Sequence, residues 1–124
     1  MGFKWILIGS LLGLIGILLS SFGAHLFKNK IEDGFFNYYQ QGTDYLMYYT
    51  IVIILVQFII NSYNYSSINY VGWLFVSGVL IFSSSLIMIA FTSNKTFGMI
   101  TPIGGTLLTA GWIVLLYIFI KRIL

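Results

Sequence analysis

The sequence predicts an all-α membrane protein, a four-transmembrane-helix bundle with a short interfacial helix between spans one and two. Two features of the composition support this prediction: 59% of the residues are apolar and only 7% are charged. In soluble domains roughly one quarter of the residues are charged. A chain with this small a charged fraction could not cover a surface exposed to water. Lipid must therefore surround most of the chain.

The third observation is a series of four apolar runs, which form one domain over residues 1–124. The predicted spans are residues 5–26, 43–60, 70–91 and 97–120. A helix needs about 20 residues to cross the hydrocarbon core, and each run is close to that length. Short polar segments separate the last three spans, so we expect consecutive spans there to be antiparallel neighbours.

The first apolar run, from Trp5 to Leu26, has a second interpretation as a secretory signal peptide. Lys4 would then supply the basic start and Ser21 to Gly23 the cleavage site. The run is longer than the apolar part of such a peptide, which covers about 7–15 residues. A complete membrane span is therefore the preferred interpretation.

The connection between the first two spans is polar but keeps a helical pattern. Its apolar and small positions recur on one face: Ile31, Phe35, Tyr38, Tyr39 and Gly42. Asn29, followed three residues later by Glu32, resembles a capping box and predicts a helix start near Lys30. We expect a short helix lying in the membrane interface.

Small residues recur at helical spacing in spans one and four. The candidate packing positions are Gly9, Gly13, Gly16, Ser20 and Ala24 in the first span and Gly104, Gly105 and Gly111 in the fourth. Apolar side chains gain nothing by leaving lipid, so helix association depends on the close approach that small residues allow. Packing within the chain is the preferred interpretation, and contacts between copies or a lipid groove are the alternatives.

Polar residues near the membrane are the candidates for a ligand site or a structural polar site. They are His25, Asp44, Tyr48, Tyr49 and Gln57. Ionisable groups inside a membrane are costly and often functional, but His25 and Asp44 lie at the same boundary, within reach of water. We expect a structural contact between these two, with a proton relay or ligand site as the alternative. For Gln57 we expect a hydrogen bond between helices.

Several functions are disfavoured by what the sequence lacks. It contains no cysteine and one histidine, so it predicts no metal site, no cofactor and no enzyme. Its basic residues flank the apolar runs and do not indicate nucleic-acid binding. The expected partners are membrane lipids, with a second copy of the chain or other membrane proteins as further candidates.

Four spans place both termini on one side of the membrane. Basic residues divide equally: Lys4, Lys121 and Arg122 lie on that side, and Lys28, Lys30 and Lys95 lie on the other. Glu32, Asp33 and Asp44 dilute the positive charge of the second group. We therefore expect a multi-pass protein of the cytoplasmic membrane with both termini in the cytoplasm.

Several strings together resemble one family. The main ones are Phe-Gly-Ala-His-Leu at residues 22–26 and Thr-Pro-Ile-Gly-Gly at residues 101–105. In this order they resemble the domain of unknown function 423 family, the YgdD/YwdK-like small membrane proteins related to eukaryotic transmembrane protein 256. The resemblance implies four spans and no established activity. Members usually carry a second histidine early in span two, where this chain has Tyr49, so a role that needs two histidines is not expected.

Two classes of function follow. The first is a non-enzymatic membrane binding, accessory or scaffold protein, which a dry, glycine-packed core would favour. The alternative is a small transporter or channel subunit that uses the polar edge around His25 and Asp44. A hydrated cavity that reaches the middle of the membrane would favour the alternative.

Overall fold

The computed structural model describes residues 2–124, which are almost entirely helical. In chain order the elements are α1 (Lys4–Ile17), a π-helical segment (Leu18–Gly23), α2 (Ala24–Phe27), a 3₁₀ turn (Lys28–Lys30), α3 (Phe36–Tyr63), α4 (Ile68–Thr92), a second 3₁₀ turn (Lys95–Met99) and α5 (Thr101–Ile123). The first four elements are continuous, so the described residues contain four helical stretches long and apolar enough to cross a membrane. The predicted four-span helical fold is confirmed.

The membrane-crossing stretches are longer than the apolar runs suggested. They extend over Lys4–Lys30, Phe36–Tyr63, Ile68–Thr92 and Lys95–Ile123. Helical hydrogen bonding does not stop where the hydrocarbon core stops, because it satisfies backbone groups in the interface as well. Composition therefore locates the middle of each span better than its ends.

The separate interfacial helix predicted between the first two spans is wrong. The backbone is extended at Ile31 (φ −109°, ψ 132°), and α3 begins at Phe36 without a side-chain cap. Gly34 has a φ of 91°, which glycine adopts readily and which stops a helix from starting at Lys30. Tyr38, Tyr39 and Gly42 belong instead to the first two turns of α3.

The pair α3 and α4 forms the centre of the bundle. α1 packs along α3, and α5 packs along α4. Trp5 of α1 also reaches α4, where its ring lies 5.1 Å from that of Trp73 between centroids. Trp112 of α5 reaches α3 and donates a 3.0 Å hydrogen bond to the Tyr49 hydroxyl. The α3–α4 pair is therefore the centre of the bundle, and each outer helix reaches the far helix of that pair mainly through one tryptophan.

Glycines bring α1 close to α3. A Cβ atom placed on Gly13 would lie 2.9 Å from Thr50 Cγ2, and one on Gly16 would lie 2.8 Å from Met47 Sδ. One on Gly9 would lie 3.2 Å from the Thr50 carbonyl oxygen. These three positions form the contact face of the first span.

Ser20 and Ala24 do not continue that face, which differs from the predicted pattern. The π-helical segment has a wider turn than an α-helix and rotates the residues that follow it. Gly23 is buried instead, beside the Tyr39 hydroxyl. Ser20 bonds back to the Ile17 carbonyl, and Ala24 is only partly buried against the Tyr39 cluster.

Of the three glycines in α5 that were predicted to pack against another helix, two do so and one does not. A Cβ atom on Gly104 would lie 2.5 Å from the Phe82 backbone nitrogen and 2.7 Å from the Gly78 carbonyl oxygen. One on Gly111 would lie 2.6 Å from the Phe75 ring, whereas one on Gly105 would find its nearest atom at 3.9 Å. Gly104 and Gly111 therefore pack against α4, and Gly105 does not.

This difference gives a matched pair of variants. We expect Gly104→Ala to destabilise the protein by about 1–3 kcal/mol, because the added methyl group meets backbone that cannot rotate away. Gly105→Ala should be neutral or stabilising by up to about 1 kcal/mol, since alanine is the better helix former. Thermal unfolding of both variants in one detergent measures the difference. Equal melting temperatures would contradict the α4–α5 packing described above.

Candidate functional site

A polar cleft lies where the π-helical segment meets the start of α3. It consists of two adjoining pockets of about 250 and 290 Å³ that share Ser20 and Ala24. The first pocket is also lined by Tyr39, Gln40, Thr43 and Asp44, and the second by Ser21, His25, Lys28 and Phe36. We refer to these ten residues as the polar cleft.

Tyr39 fixes the two walls of the polar cleft to each other. Its side chain is fully buried, and its hydroxyl donates a 2.5 Å hydrogen bond to the Leu19 carbonyl in the π-helical segment. The ring stacks on Phe36 at 5.6 Å and meets Phe91 edge-on at 5.9 Å between centroids. Because its hydroxyl is already engaged, Tyr39 is a structural residue and not a free donor for a ligand.

Thr43 lines the buried side of the polar cleft beside Tyr39, and only 2% of its surface is exposed. Its hydroxyl donates a 2.9 Å hydrogen bond to the Gln40 carbonyl of the preceding turn. A threonine bonded back to its own helix needs no other partner. Tyr39 and Thr43 therefore close the inner side of the polar cleft with groups that are already satisfied.

The ionisable residues of the cleft are exposed and separated. His25 and Lys28 line one pocket, and Asp44 lines the other. Within residues 2–124 no hydrogen bond or ion pair joins His25 to Asp44, so the expected direct contact is not formed. Ser20 and Ala24 line both pockets, so His25 and Asp44 lie in adjoining pockets and not in one.

This arrangement offers an acceptor on one side and donors on the other. Asp44 and the Gln40 side chain supply acceptor oxygens, whereas His25, Lys28 and the Ser21 hydroxyl supply donors. The described part of the chain contains no group of three or more His, Cys, Asp or Glu side chains placed to hold a metal ion. The cleft is therefore suited to a small polar group or to a partner that carries both charges.

The other predicted site residues lie away from the cleft. Tyr48 is 59% exposed on the outside of α3. Tyr49 packs on Phe75 at 5.5 Å and accepts the hydrogen bond from Trp112 that links α3 to α5. Tyr49 stands where members of the family that the sequence resembles usually carry a histidine, and in this chain it is a structural residue.

Gln57 lies near the opposite end of the bundle, where it joins helices. Its side-chain oxygen accepts a 3.1 Å hydrogen bond from the Trp5 backbone N–H, and its nitrogen donates to Asn61 at 3.2 Å. The Trp5 indole donates to Asn69 at 2.8 Å and fills the space left by Gly72. An N–H of the first helical turn has no partner within its own helix, so Gln57 satisfies a group that would otherwise be buried unpaired.

Sequence reasoning did not identify Trp5 and Asn69 as partners. A tryptophan beside Lys4 at a span boundary was the available signal, and it is typical of an interfacial anchor. The residue that accepts the hydrogen bond from the Trp5 indole depends on how α1 and α4 contact each other in the bundle. That contact joins residues 64 positions apart in the chain.

Comparison with known proteins gives a consistent result. The family described as "Protein of unknown function (DUF423)" matches residues 19–105, which include the polar cleft and Gly104. A UPF0382 membrane protein of Staphylococcus aureus (strain bovine RF122 / ET3-1) is 34% identical over 112 residues, covering 90% of this chain and 91% of the relative. No solved structure matches the chain significantly.

Two further relatives carry the same description. A UPF0382 membrane protein of Staphylococcus haemolyticus is 34% identical over 112 residues, covering 90% of this chain and 91% of the relative. The UPF0382 membrane protein YwdK of Bacillus subtilis is 30% identical over 118 residues, covering 94% of this chain and 96% of the relative. The chain therefore belongs to the DUF423 family, a family of unknown function whose relatives named above are described as membrane proteins.

Proposed function

We propose that this protein is a non-enzymatic membrane component that acts by binding, as an accessory or scaffold protein, through the polar cleft. The observation that carries the proposal is the contrast between the cleft and the core. The cleft is open, with exposed His25, Lys28 and Asp44 side chains at one membrane edge. Its partner is a small polar molecule, a second copy of the chain or another membrane protein.

The core beneath the cleft supports binding over transport. The side chains buried between the two ends are mainly apolar, among them Leu46, Ile53, Val56, Val71, Phe75 and Val79. One buried hydroxyl in residues 2–124, that of Ser83, has no hydrogen-bond partner. A polar solute crossing the membrane would need a series of polar groups along its path, and a single hydroxyl does not supply one.

We also propose that the protein lies in the cytoplasmic membrane with both termini in the cytoplasm. Lys4, Lys121 and Arg122 lie at the end that holds the termini, and all three acidic residues lie at the other end with the remaining three lysines. The net side-chain charge is thus three minus zero at the first end and three minus three at the second. Lysine and arginine dominate the choice of orientation and acidic residues contribute little, so the equal basic counts do not select a side by themselves. The dilution of positive charge by the three acids at the second end is what favours the cytoplasm for the end that holds the termini.

Thiol labelling in intact cells tests this orientation, because the native chain contains no cysteine. Asn29→Cys and Ser66→Cys place a thiol at exposed positions on opposite ends of the bundle. A membrane-impermeant reagent should label the first variant directly and the second only after the cells are opened. The reverse pattern would contradict the proposed orientation.

Native mass spectrometry of the full chain taken from its own membrane tests the binding proposal. We expect wild type to retain a bound molecule or subunit and Asp44→Asn to lose it, with a drop in occupancy of about tenfold or more. A hydrogen bond to a charged group contributes about 1.5–3 kcal/mol, which corresponds to such a loss. Glu32→Gln is the matched control, since Glu32 is an exposed acid at the same end outside the cleft.

Two outcomes would overturn this proposal. Retention by Asp44→Asn equal to that of wild type would show that the cleft is not the binding site. Passage of a polar solute across liposomes that contain the purified protein, reduced by Asp44→Asn but not by Glu32→Gln, would favour the transporter alternative instead.

A further inference from the structure

The end of the bundle opposite the polar cleft carries a groove of a different kind. It lies between the start of α4 and the end of α5 and has a volume of about 590 Å³. Six of its lining residues define what we call the basic groove: Tyr70, Val114, Tyr117, Ile118, Lys121 and Arg122. The two cations lie in the last turn of α5, and Val114 lies about 10 Å deeper along the helix.

No acidic side chain in the part of the chain that the structure describes neutralises the positive charge of the basic groove. Within residues 2–124 neither Lys121 nor Arg122 forms an ion pair, and the acidic residues Glu32, Asp33 and Asp44 all lie at the other end. The Arg122 guanidinium lies 4.4 Å from the centroid of the Tyr65 ring. This cation–π contact holds the guanidinium in place and leaves its N–H groups free to donate.

Other features of the groove favour the same sign of ligand charge. α4 begins at Ile68, and the preceding Ser67 lines the groove, so the positive end of the α4 dipole is close by. The exposed hydroxyl-bearing rings of Tyr70 and Tyr117 add possible hydrogen-bond donors. The rim of the groove is therefore suited to an anion with several acceptor oxygens.

The walls of the groove are apolar, which a free anion would not require. Val114 and Ile118 are half-buried along the side that faces the membrane core. A second groove of about 560 Å³ adjoins the first and also includes Arg122, with Tyr63, Phe119 and Ile123 on its walls. Two apolar grooves thus meet at one guanidinium group.

We propose that the basic groove binds an anionic phospholipid, with its phosphate on Lys121 and Arg122. One acyl chain lies against Val114 and Ile118, and the other lies in the adjoining groove beside Phe119. Arginine binds phosphate through paired N–H groups, lysine adds a point charge, and basic pockets between spans bind anionic headgroups. This inference is independent of the function proposed for the polar cleft, since it uses the other end of the bundle.

Lipid titration of the detergent-purified full chain, followed by native mass spectrometry, tests the proposal. Phosphatidylglycerol should bind more tightly than phosphatidylcholine with the same acyl chains. Lys121→Gln with Arg122→Gln should weaken phosphatidylglycerol binding by about tenfold or more, because each basic residue near a membrane surface attracts an anionic lipid by about 1 kcal/mol. Phosphatidylcholine should lose less, because its choline ammonium group already offsets the attraction between its phosphate and the two cations.

The control is Lys30→Gln with Lys95→Gln, which removes two exposed cations from the opposite end, neither of which lines the polar cleft. Equal loss of lipid in this control, or unchanged binding in the groove variant, would overturn the proposal. Displacement of the lipid by millimolar inorganic phosphate would also overturn it, by showing a site for free anions. Lys121→Glu is a second exposed-site variant that should lower phosphatidylglycerol binding while the melting temperature stays that of wild type.

Discussion

The fold depends on the close approach of helix backbones at positions without a side chain. A Cβ atom on Gly42 would lie 3.0 Å from the Ser83 carbonyl oxygen, and one on Gly78 would lie 3.0 Å from the Leu108 backbone nitrogen. These contacts join α3 to α4 and α4 to α5. In lipid the hydrophobic effect does not drive helices together, so van der Waals contact at such positions supplies much of the association energy. The rest of the structure is positioned by this packing.

One consequence is that the charged side chains lie at the two ends of the bundle, whereas its middle holds few polar groups, among them the Tyr49–Trp112 hydrogen bond and the buried Ser83 hydroxyl. At one end the π-helical segment opens the polar cleft, with Tyr39 bonded to Leu19 across it. At the other end Trp5, Gln57 and Asn69 link α1, α3 and α4. Between these ends the packed face leaves little room for water. The geometry therefore supports sites at the two membrane surfaces, a cleft with both charges and a groove with positive charge only.

Composition and spacing were sufficient to predict the four spans and the glycine face of α1, because both depend on local sequence and on the bilayer. The ends of the spans and the missing interfacial helix were not predictable in this way. The turn at Ile31 is held by burial in one cluster with Tyr39 and with Ala90, which is distant in the chain. A capping pattern depends only on residues close together in the chain, so it does not include the tertiary contact that prevents a helix from starting here.

The site was predicted only in part, for a related reason. No residue type signals a π-helical segment, yet that segment decides which way Ser20, Ala24 and His25 face. His25 and Asp44 lie in adjoining pockets at one end of the bundle, but the direct contact expected between them is not formed. Gln57 could be identified as polar and inside the membrane, whereas its partner Trp5 depends on the contact between α1 and α3.

Disulfide formation between Gly13→Cys and Thr50→Cys tests the glycine-mediated packing most directly. The Cβ positions of these residues are 3.8 Å apart, which is about the mean separation in a disulfide. In the membrane, mild oxidation should close this bond within one chain, and Leu14→Cys with Thr50→Cys should not cross-link, because Leu14 is 56% exposed on α1. Failure of the first pair to cross-link, or equal cross-linking of both, would contradict the packing of α1 on α3.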